Sequence, residues 1–353
     1  MTRGNIVHVV GTGTIGEPLI GLLANLKKEL CIDEVTFSKR TPLLTDRSKV
    51  RNLIKRGAKL SVPKEKFNEF KKIDLEPDYE HEEAISRAMV VIDCTPAGLE
   101  NKKRYYESFK DEVKCFVAQG SEFGFGKMYA FRINDNALTN NDKYIQIVSC
   151  NTHNIAVIIK TLAIDGNISN LSEGRFLCLR RANDISQNGG FVPSPKVENH
   201  GDESFGTHHA RDVYWLYKTI GLELDLFSSS IKLNTQYMHS IWFNLHLNNK
   251  IDEEEVKERF RLNPRVAVTH NQLASEVFSF GRDHGYYGRI LNQTVVVLPT
   301  IVVRNTAEVI GFCFTPQDGN SLLSSIAVIE HTLCPDSWNE NMEKLDQFLF
   351  DEV

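Results

Sequence analysis

The chain has 353 residues, is 41% hydrophobic and 25% charged, and carries a formal net charge of −5. That balance is ordinary for a globular protein and excludes the basic character that would point to nucleic acid or an anionic membrane as a partner. The length suggests two domains, and no apolar run approaches the roughly 20 residues that span a bilayer.

The opening MTRGNIVHVV enters a strand pattern directly, with no signal peptide in view. The seven cysteines (Cys31, Cys94, Cys115, Cys150, Cys178, Cys313 and Cys334) are irregularly spaced. Without a CxxC pair they support neither a zinc ribbon nor a dithiol redox motif, so no metal is expected and a reducing cytoplasm fits.

Asn5 to Val10 reads as a short buried parallel strand, followed at once by GTGTIG and the helical run EPLIGLLANLKKEL. Gly11, Gly13 and Gly16 form G-x-G-x-x-G in a strand–turn–helix setting. The first glycine makes the tight turn, the second lets the backbone approach a pyrophosphate, and the third lets the helix lie close to the strand. Free N–H groups at the helix start favour phosphate.

The second strand, EVTFSKR, ends in Ser38, Lys39 and Arg40, where an NAD-selective site usually places Asp or Glu. Two cations and a hydroxyl suit a 2′-phosphate, so the charge favours NADP over NAD. Further strands end at TPAG (after Asp93) and at Gln119-Gly120, at the carboxyl edge where open α/β sheets bind ligands. Cys94 reads as a small buried residue.

In QIVSCNTHNIAVIIK a strand runs into Cys150, and Asn151 and Thr152 can cap the helix that follows. A thiolate there is stabilised by the helix N-terminus, which pulls its pKa down from about 8.5 toward neutrality. The same amides can hold a developing oxyanion. A core cysteine ending a strand is the alternative.

Beyond it, GRFLCLRRA, SSSIKLNTQY, QTVVVLPTIVV and EVIGFCF read as strands with few crossovers, hence an antiparallel or mixed sheet. DEEEVKERFRLN, SLLSSIAVIEHTL and SWNENMEKLDQFLF read as helices. The expected fold is α/β: a Rossmann-type doubly wound parallel sheet plus an α+β catalytic domain with a mainly antiparallel sheet.

The ordered series G-x-G-T-I-G, S-K-x-x-P, D-C-T-P-x-G, Q-G and V-S-C-N-T resembles the archaeal-type (class II) glyceraldehyde-3-phosphate dehydrogenases. So do LRRAND, VPSPKV, THHARDV, QYMHSI and NPRV further on. The resemblance implies phosphorylating oxidation of glyceraldehyde 3-phosphate with NADP or NAD and inorganic phosphate, in a cytoplasmic homotetramer. It implies Cys150 as nucleophile and His239 as general base that also polarises the thiohemiacetal oxygen. Ser149, Asn151, Thr152, His208 and His209 become substrate contacts, and Arg180 a phosphate ligand with Arg211 as a further candidate. Thr14, Ile15, Gly120, Arg181 and Gln317 join Gly11, Gly13, Gly16, Ser38, Lys39 and Arg40 at the cofactor.

The same resemblance implies a dinucleotide-binding domain over residues 1–149 plus about 318–353, and a catalytic and oligomerisation domain over 150–317. Adjacent strand residues face opposite ways, so at most one of Arg180 and Arg181 should enter a shared pocket. The chain departs from the pattern at His153-Asn154, where the family usually has Thr-Gly, which makes His153 a second candidate base. Insertions near 198–206 and 214–228 flank the proposed substrate contacts. A semialdehyde or acyl-phosphate reductase of the same fold, or a non-catalytic NADP-binding protein, are the alternatives.

Overall fold

The computed structural model describes residues 4–184 and 189–353. The chain forms two compact units. The first comprises Met1–Lys127, Leu138–Ile147 and Leu322–Leu345, and the second Met128–Ala137, Val148–Ser321 and Asp346–Val353.

The first sheet uses β1 (Ile6–Val10), β2 (Glu34–Ser38), β3 (Lys59–Val62), β4 (Tyr79–Glu80), β5 (Val90–Asp93), β6 (Cys115–Gln119), β7 (Lys127–Tyr129) and β8 (Tyr144–Ile147). Their order is β4-β3-β2-β1-β5-β6-β8-β7, and every pairing from β4 to β8 is parallel. The strand order reverses between β1 and β5, the kind of switch point beside which such sheets bind ligands. β5 and β6 are buried at every residue, because a parallel sheet is covered on both faces and needs apolar side chains on both. The helix Gly16–Asn25 is correspondingly apolar and mostly buried.

The second unit carries a small hairpin, β9 (Ile164–Asp165) and β10 (Ile168–Ser169). It also carries β11 (Leu171–Arg180), β12 (Lys196–Val197), β13 (Leu226–Lys232), β14 (His239–Leu247), β15 (Val266–Thr269), β16 (Thr294–Val297), β17 (Val302–Arg304) and β18 (Glu308–Thr315). The larger sheet runs β12-β13-β11-β14-β18-β16-β15, with β17 on β18. It is antiparallel except at β11–β13 and β15–β16. The α/β expectation, with a parallel sheet and a mixed, mainly antiparallel one, therefore holds.

β14 alternates strictly between buried and half-buried residues, the period-two pattern of a sheet with one face on a core. That core centres on the helix Cys150–Ala163. Its residues from Asn151 to Ile159 are all buried, and it packs on β11, β16, β18 and the helices His208–Lys218 and Glu253–Leu262. Its run Ile155–Ile159 is apolar on every side and is enclosed accordingly.

The C-terminal segment read as one helix is shorter. Helix spans Trp338–Glu343, and a single tight turn, Asp346–Phe348, follows. Asp346, in that turn, pairs with the buried Arg265 at 2.8 Å. Among the described residues no helix is long and apolar enough to cross a membrane.

Candidate active site

In the first unit the glycine-rich turn divides its work as the spacing requires. Gly11 sits at φ +96°, a backbone conformation open to glycine and costly for other residues. A Cβ on Gly16 would lie 2.1 Å from the Gly11 carbonyl oxygen, so helix and turn approach too closely for any side chain. Gly13 faces open space. This is a cradle that a side chain at Gly11 or Gly16 would destroy, with Gly13 left open to an incoming group, and it fits a pyrophosphate. Thr14 and Ile15 complete the turn before the helix begins at Gly16.

A cavity of about 290 Å³ opens beside it, lined by Gly11, Gly13, Lys39, Arg40, Asp46 and Thr95 among others. Asp93, fully buried at the end of β5, holds the lining residue Thr95 in place. Its carboxylate accepts from Thr95 (N–H 2.8 Å, hydroxyl 2.6 Å), Asn101 (2.7 Å) and the Tyr106 hydroxyl (2.7 Å). Asn101 in turn accepts from Arg40 at 2.9 Å.

The three residues at the end of β2 behave differently from one another. The Ser38 side chain points inward, bonded to His8 (2.8 Å), Ser61 (2.9 Å) and His81 (2.7 Å). Its hydroxyl is engaged in the sheet interior, while the residue also lines the cavity beside the glycine-rich turn. Lys39 lines the cavity but is ion-paired to Asp46, a carboxylate that sequence reading missed and that Lys49 also approaches at 3.5 Å. Those two lysines hold the Asp46 carboxyl below its ordinary range despite the opposing effect of burial. Arg40 borders both this cavity and a larger one of about 810 Å³, lined by cations (Lys64, Lys66, Arg104), by Glu65, Glu80 and Glu82, and by His81. Gly120, at φ +80°, ends β6.

In the second unit, Ser149 caps the helix that begins at Cys150. It is extended, and its hydroxyl accepts from the Thr152 N–H at 3.4 Å and meets the Thr152 hydroxyl at 2.8 Å. The Ser149 carbonyl accepts from the His153 ring Nδ1 at 3.0 Å. That ring is wholly buried, and desolvation pushes it down to about 4. His153 thus braces the strand–helix corner instead of presenting a free nitrogen as a base.

The first turn of this helix is anchored to β18. The Thr315 hydroxyl donates to Asn151 Oδ1 (3.2 Å) and accepts from Asn154 Nδ2 (2.8 Å), while Asn320 donates to the Cys150 carbonyl (2.9 Å). The Cys150 thiol does not have the lowered pKa expected from its position. Burial pushes it up to about 11, and the opposing pull of Arg181 and the Asn151 amide is offset by Asp318 and Asp184. Burial decides the outcome, because the two carboxylates cancel much of what the one guanidinium would do for the thiolate.

That guanidinium is almost fully enclosed. Arg181 donates to Asp184 (2.7 Å), Asp318 (3.2 Å) and the Tyr237 carbonyl (3.2 Å). Gln317 donates to the same Asp184 oxygen at 3.3 Å, and its own buried side-chain oxygen lacks a partner. Asp318 adopts φ +72°, an unusual backbone state for a residue with a side chain. Arg181 and Gln317 lie in one ionic cluster beside the thiol.

The Arg181 backbone N–H donates to His239 Nδ1 at 2.9 Å. The neutral ring must then carry its proton on Nε2. Desolvation, with Arg181 and Arg180 nearby, drives its pKa down to about 3. In this tautomer His239 is a hydrogen-bond donor toward its other side and lacks the open acceptor that a general base needs.

Arg180 turns to a different carboxylate, Glu198, one guanidinium nitrogen donating to both of its oxygens at 3.1 and 2.8 Å, as opposite strand faces require. His208 and His209 open the helix His208–Lys218, capped by Thr207. Their rings lie 4.0 Å apart. His209 is buried with neither ring nitrogen partnered, an orphaned polar group of a kind common at ligand sites. Burial and the neighbouring Arg180 and Arg211 push His208 down to about 4. Arg211 is itself paired to Asp212 at 2.8 Å.

No protein-family model matches the chain. It is similar to curated archaeal proteins named glyceraldehyde-3-phosphate dehydrogenase. The one from Pyrobaculum islandicum is 24% identical over 314 residues, covering 84% of this chain and 83% of the relative. That from Metallosphaera sedula is 26% identical over 313 residues, covering 84% of each. That from Pyrobaculum arsenaticum is 26% identical over 301 residues, covering 79% and 78%. These matches support a divergent member of that group.

Proposed function

We propose that the protein is an NAD(P)-dependent oxidoreductase that oxidises a phosphorylated aldehyde, glyceraldehyde 3-phosphate in the first instance, to an acyl phosphate. The observation that carries this reading is Cys150 at a capped helix start whose first turn is bonded to Thr315, the residue paired with His239 across β14 and β18. The similarity to named dehydrogenases over most of the chain supports it.

Bound nicotinamide dinucleotide supplies a hydride acceptor, and the residues fitted to hold it are Gly11, Gly13, Gly16, Thr14, Ile15, Gly120, Lys39 and Arg40. The Cys150 sulfur attacks the aldehyde carbon, giving a thiohemiacetal. Free amides at the helix start and the Nε2–H of His239 donate to the oxygen that gathers charge. The thiol proton passes to solvent as the C–S bond forms. Loss of the thiohemiacetal hydroxyl proton to solvent, with hydride to the bound dinucleotide, would leave a thioester. Inorganic phosphate then forms the acyl phosphate as the C–S bond breaks and the thiolate leaves. Ser149, Asn151 and Thr152 shape the corner. The unpartnered imidazole of His209, with His208, Arg180 and Arg211, provides the donors for phosphate. Ionisation of the thiol is the step that the free chain holds back. On this reading the protein is cytoplasmic and a homotetramer.

A second reading, a non-catalytic dinucleotide-binding protein, is favoured by one observation: the thiol held at about 11 beside two carboxylates. A cofactor-reduction assay over phosphorylated and carboxylated aldehydes, with and without phosphate, separates them. Phosphate-dependent reduction with glyceraldehyde 3-phosphate is the expected result. Phosphate-independent turnover of a semialdehyde, or no turnover with any aldehyde, would overturn the proposal.

A further inference from the structure

Among the described residues, one group of three metal-ligating side chains brings its donor atoms together. Cys31, Glu330 and Cys334 each place a donor atom within 4.8 Å of the others. All three belong to the first unit, and none takes part in the chemistry above. Glu330 and Cys334 stand four residues apart at the end of the helix Leu322–Leu333, where the Cys334 N–H still donates to the Glu330 carbonyl at 2.8 Å. That spacing puts both side chains on one face. Cys31 comes from the turn before β2, at φ +49°.

Glu330 provides the second, independent observation. It is wholly buried, yet its Oε1 has no hydrogen-bond partner. Its Oε2 accepts from Asn341 Nδ2 at 2.7 Å, and the same nitrogen lies 3.4 Å from the Cys31 sulfur. A buried carboxylate oxygen left unsatisfied costs stability unless something binds it. An outer amide that orients two donors at once is the kind of support metal ligands receive.

We propose that Cys31, Cys334 and Glu330 bind a thiophilic divalent cation of the zinc class. Two thiolates and one carboxylate are a donor set such ions accept, with the fourth tetrahedral position left to water. Both cysteines are half-buried, so an ion can enter from solvent. On binding, each thiol loses its proton to solvent, two S–metal bonds and one O–metal bond form, and no electron is transferred. Three anionic ligands around a dication leave one negative charge, which Lys114 near Cys334 and Lys344 near Glu330 offset. The ion would fasten the turn before β2 to the C-terminal helix, and it needs no part of the dehydrogenase reading.

The test uses the full chain carrying Cys150→Ser, so that the other candidate thiol cannot bind. The protein is reduced, stripped with chelator and titrated with Zn²⁺, then with Co²⁺. One equivalent of zinc should survive gel filtration and raise Tm, and cobalt should give a thiolate charge-transfer band. Glu330→Gln and Cys31→Ser should each lose the retained equivalent and the band. Cys31→Ser lies at a half-buried turn, and circular dichroism verifies its fold. Retention below a stoichiometric level in the reduced protein, or retention unchanged in both variants, overturns the proposal. So does a Cys31–Cys334 disulfide whose reduction creates no zinc site.

Discussion

Thr315 lies directly across the β14–β18 pair from His239, and its one hydroxyl bonds both Asn151 and Asn154 on the Cys150 helix. A single side chain, on the residue paired with His239, thus ties the start of that helix to β18. Thr315→Val keeps the shape but strands two buried amides, which costs about 1–3 kcal/mol of stability. It should also lower kcat more than it raises KM, because the sulfur loses its fixed position. Thr315→Ser should restore both. A Val variant with wild-type kcat and stability would show that the anchor is dispensable.

The nucleophile itself has a sharper test. Cys150→Ser should lower kcat by about 10^4-fold or more, as loss of a covalent nucleophile does elsewhere, while dinucleotide binding measured by fluorescence is retained. Residual turnover near wild type would remove the covalent step.

Thiol reactivity should follow the ionic cluster. With Cys150 at about 11 in the free chain, its alkylation by iodoacetamide should be slow at neutral pH and climb through pH 9–11. It should still precede Cys115 and Cys313, which burial holds at about 12. Arg181→Gln removes the guanidinium that favours the thiolate and leaves Asp184 and Asp318 in place, so the rise should move to higher pH. Site-resolved mass spectrometry reads both. A Cys150 rate already at plateau by pH 7 would refute the raised pKa.

The parts of this site that were legible in the sequence are local ones. Gly11, Gly13 and Gly16 could be read because the turn, the phosphate approach and the close helix packing all lie within six residues. The Cys150 corner could be read because a strand, a cap and a helix meet there. The ion cluster could not, because Arg181 and Asp318 are 137 residues apart, and only folding brings the second carboxylate to the thiol. The inward turn of Ser38 was hidden for the same reason, since its partners His8, Ser61 and His81 come from other segments. The tautomer of His239 depends on an amide 58 positions away. No spacing rule reports it.

Acid sensitivity follows from buried imidazoles. His8, His81, His153, His209 and His239 are all enclosed, and burial lowers each of them: to about 4 for His81 and His153, to about 3 for His239, and well down for His8 and His209. A folded pKa below the unfolded value of about 6.5 means stability present above that value and lost as pH falls toward the folded pKa. Each proton taken up only by the unfolded chain contributes a slope of about 1.4 kcal/mol per pH unit. Unfolding in urea at pH 5 should therefore take up close to five protons per chain from these groups and about one more from His208, less about one that Glu330 gives up, measured in a pH-stat. His8→Gln should reduce the uptake by one. An uptake of one or two in the wild type would mean that the imidazoles are hydrated in the fold.

Cofactor choice turns on Lys39 and its partner. The positive charge that sequence reading assigned to a 2′-phosphate is already neutralised by Asp46, which lines the same cavity. A phosphate must displace that carboxylate, whereas a ribose hydroxyl can donate to it. Asp46→Asn should therefore release Lys39 and raise the ratio of kcat/KM for NADP over NAD by about tenfold, the worth of one charge-assisted hydrogen bond. Lys39→Met should lower the ratio, and the double variant should resemble Lys39→Met, since Asp46 acts through the lysine. If Asp46→Asn instead impairs both cofactors equally, the carboxylate serves the turn and not the choice, and discrimination must lie with Arg40 and its Asn101 contact.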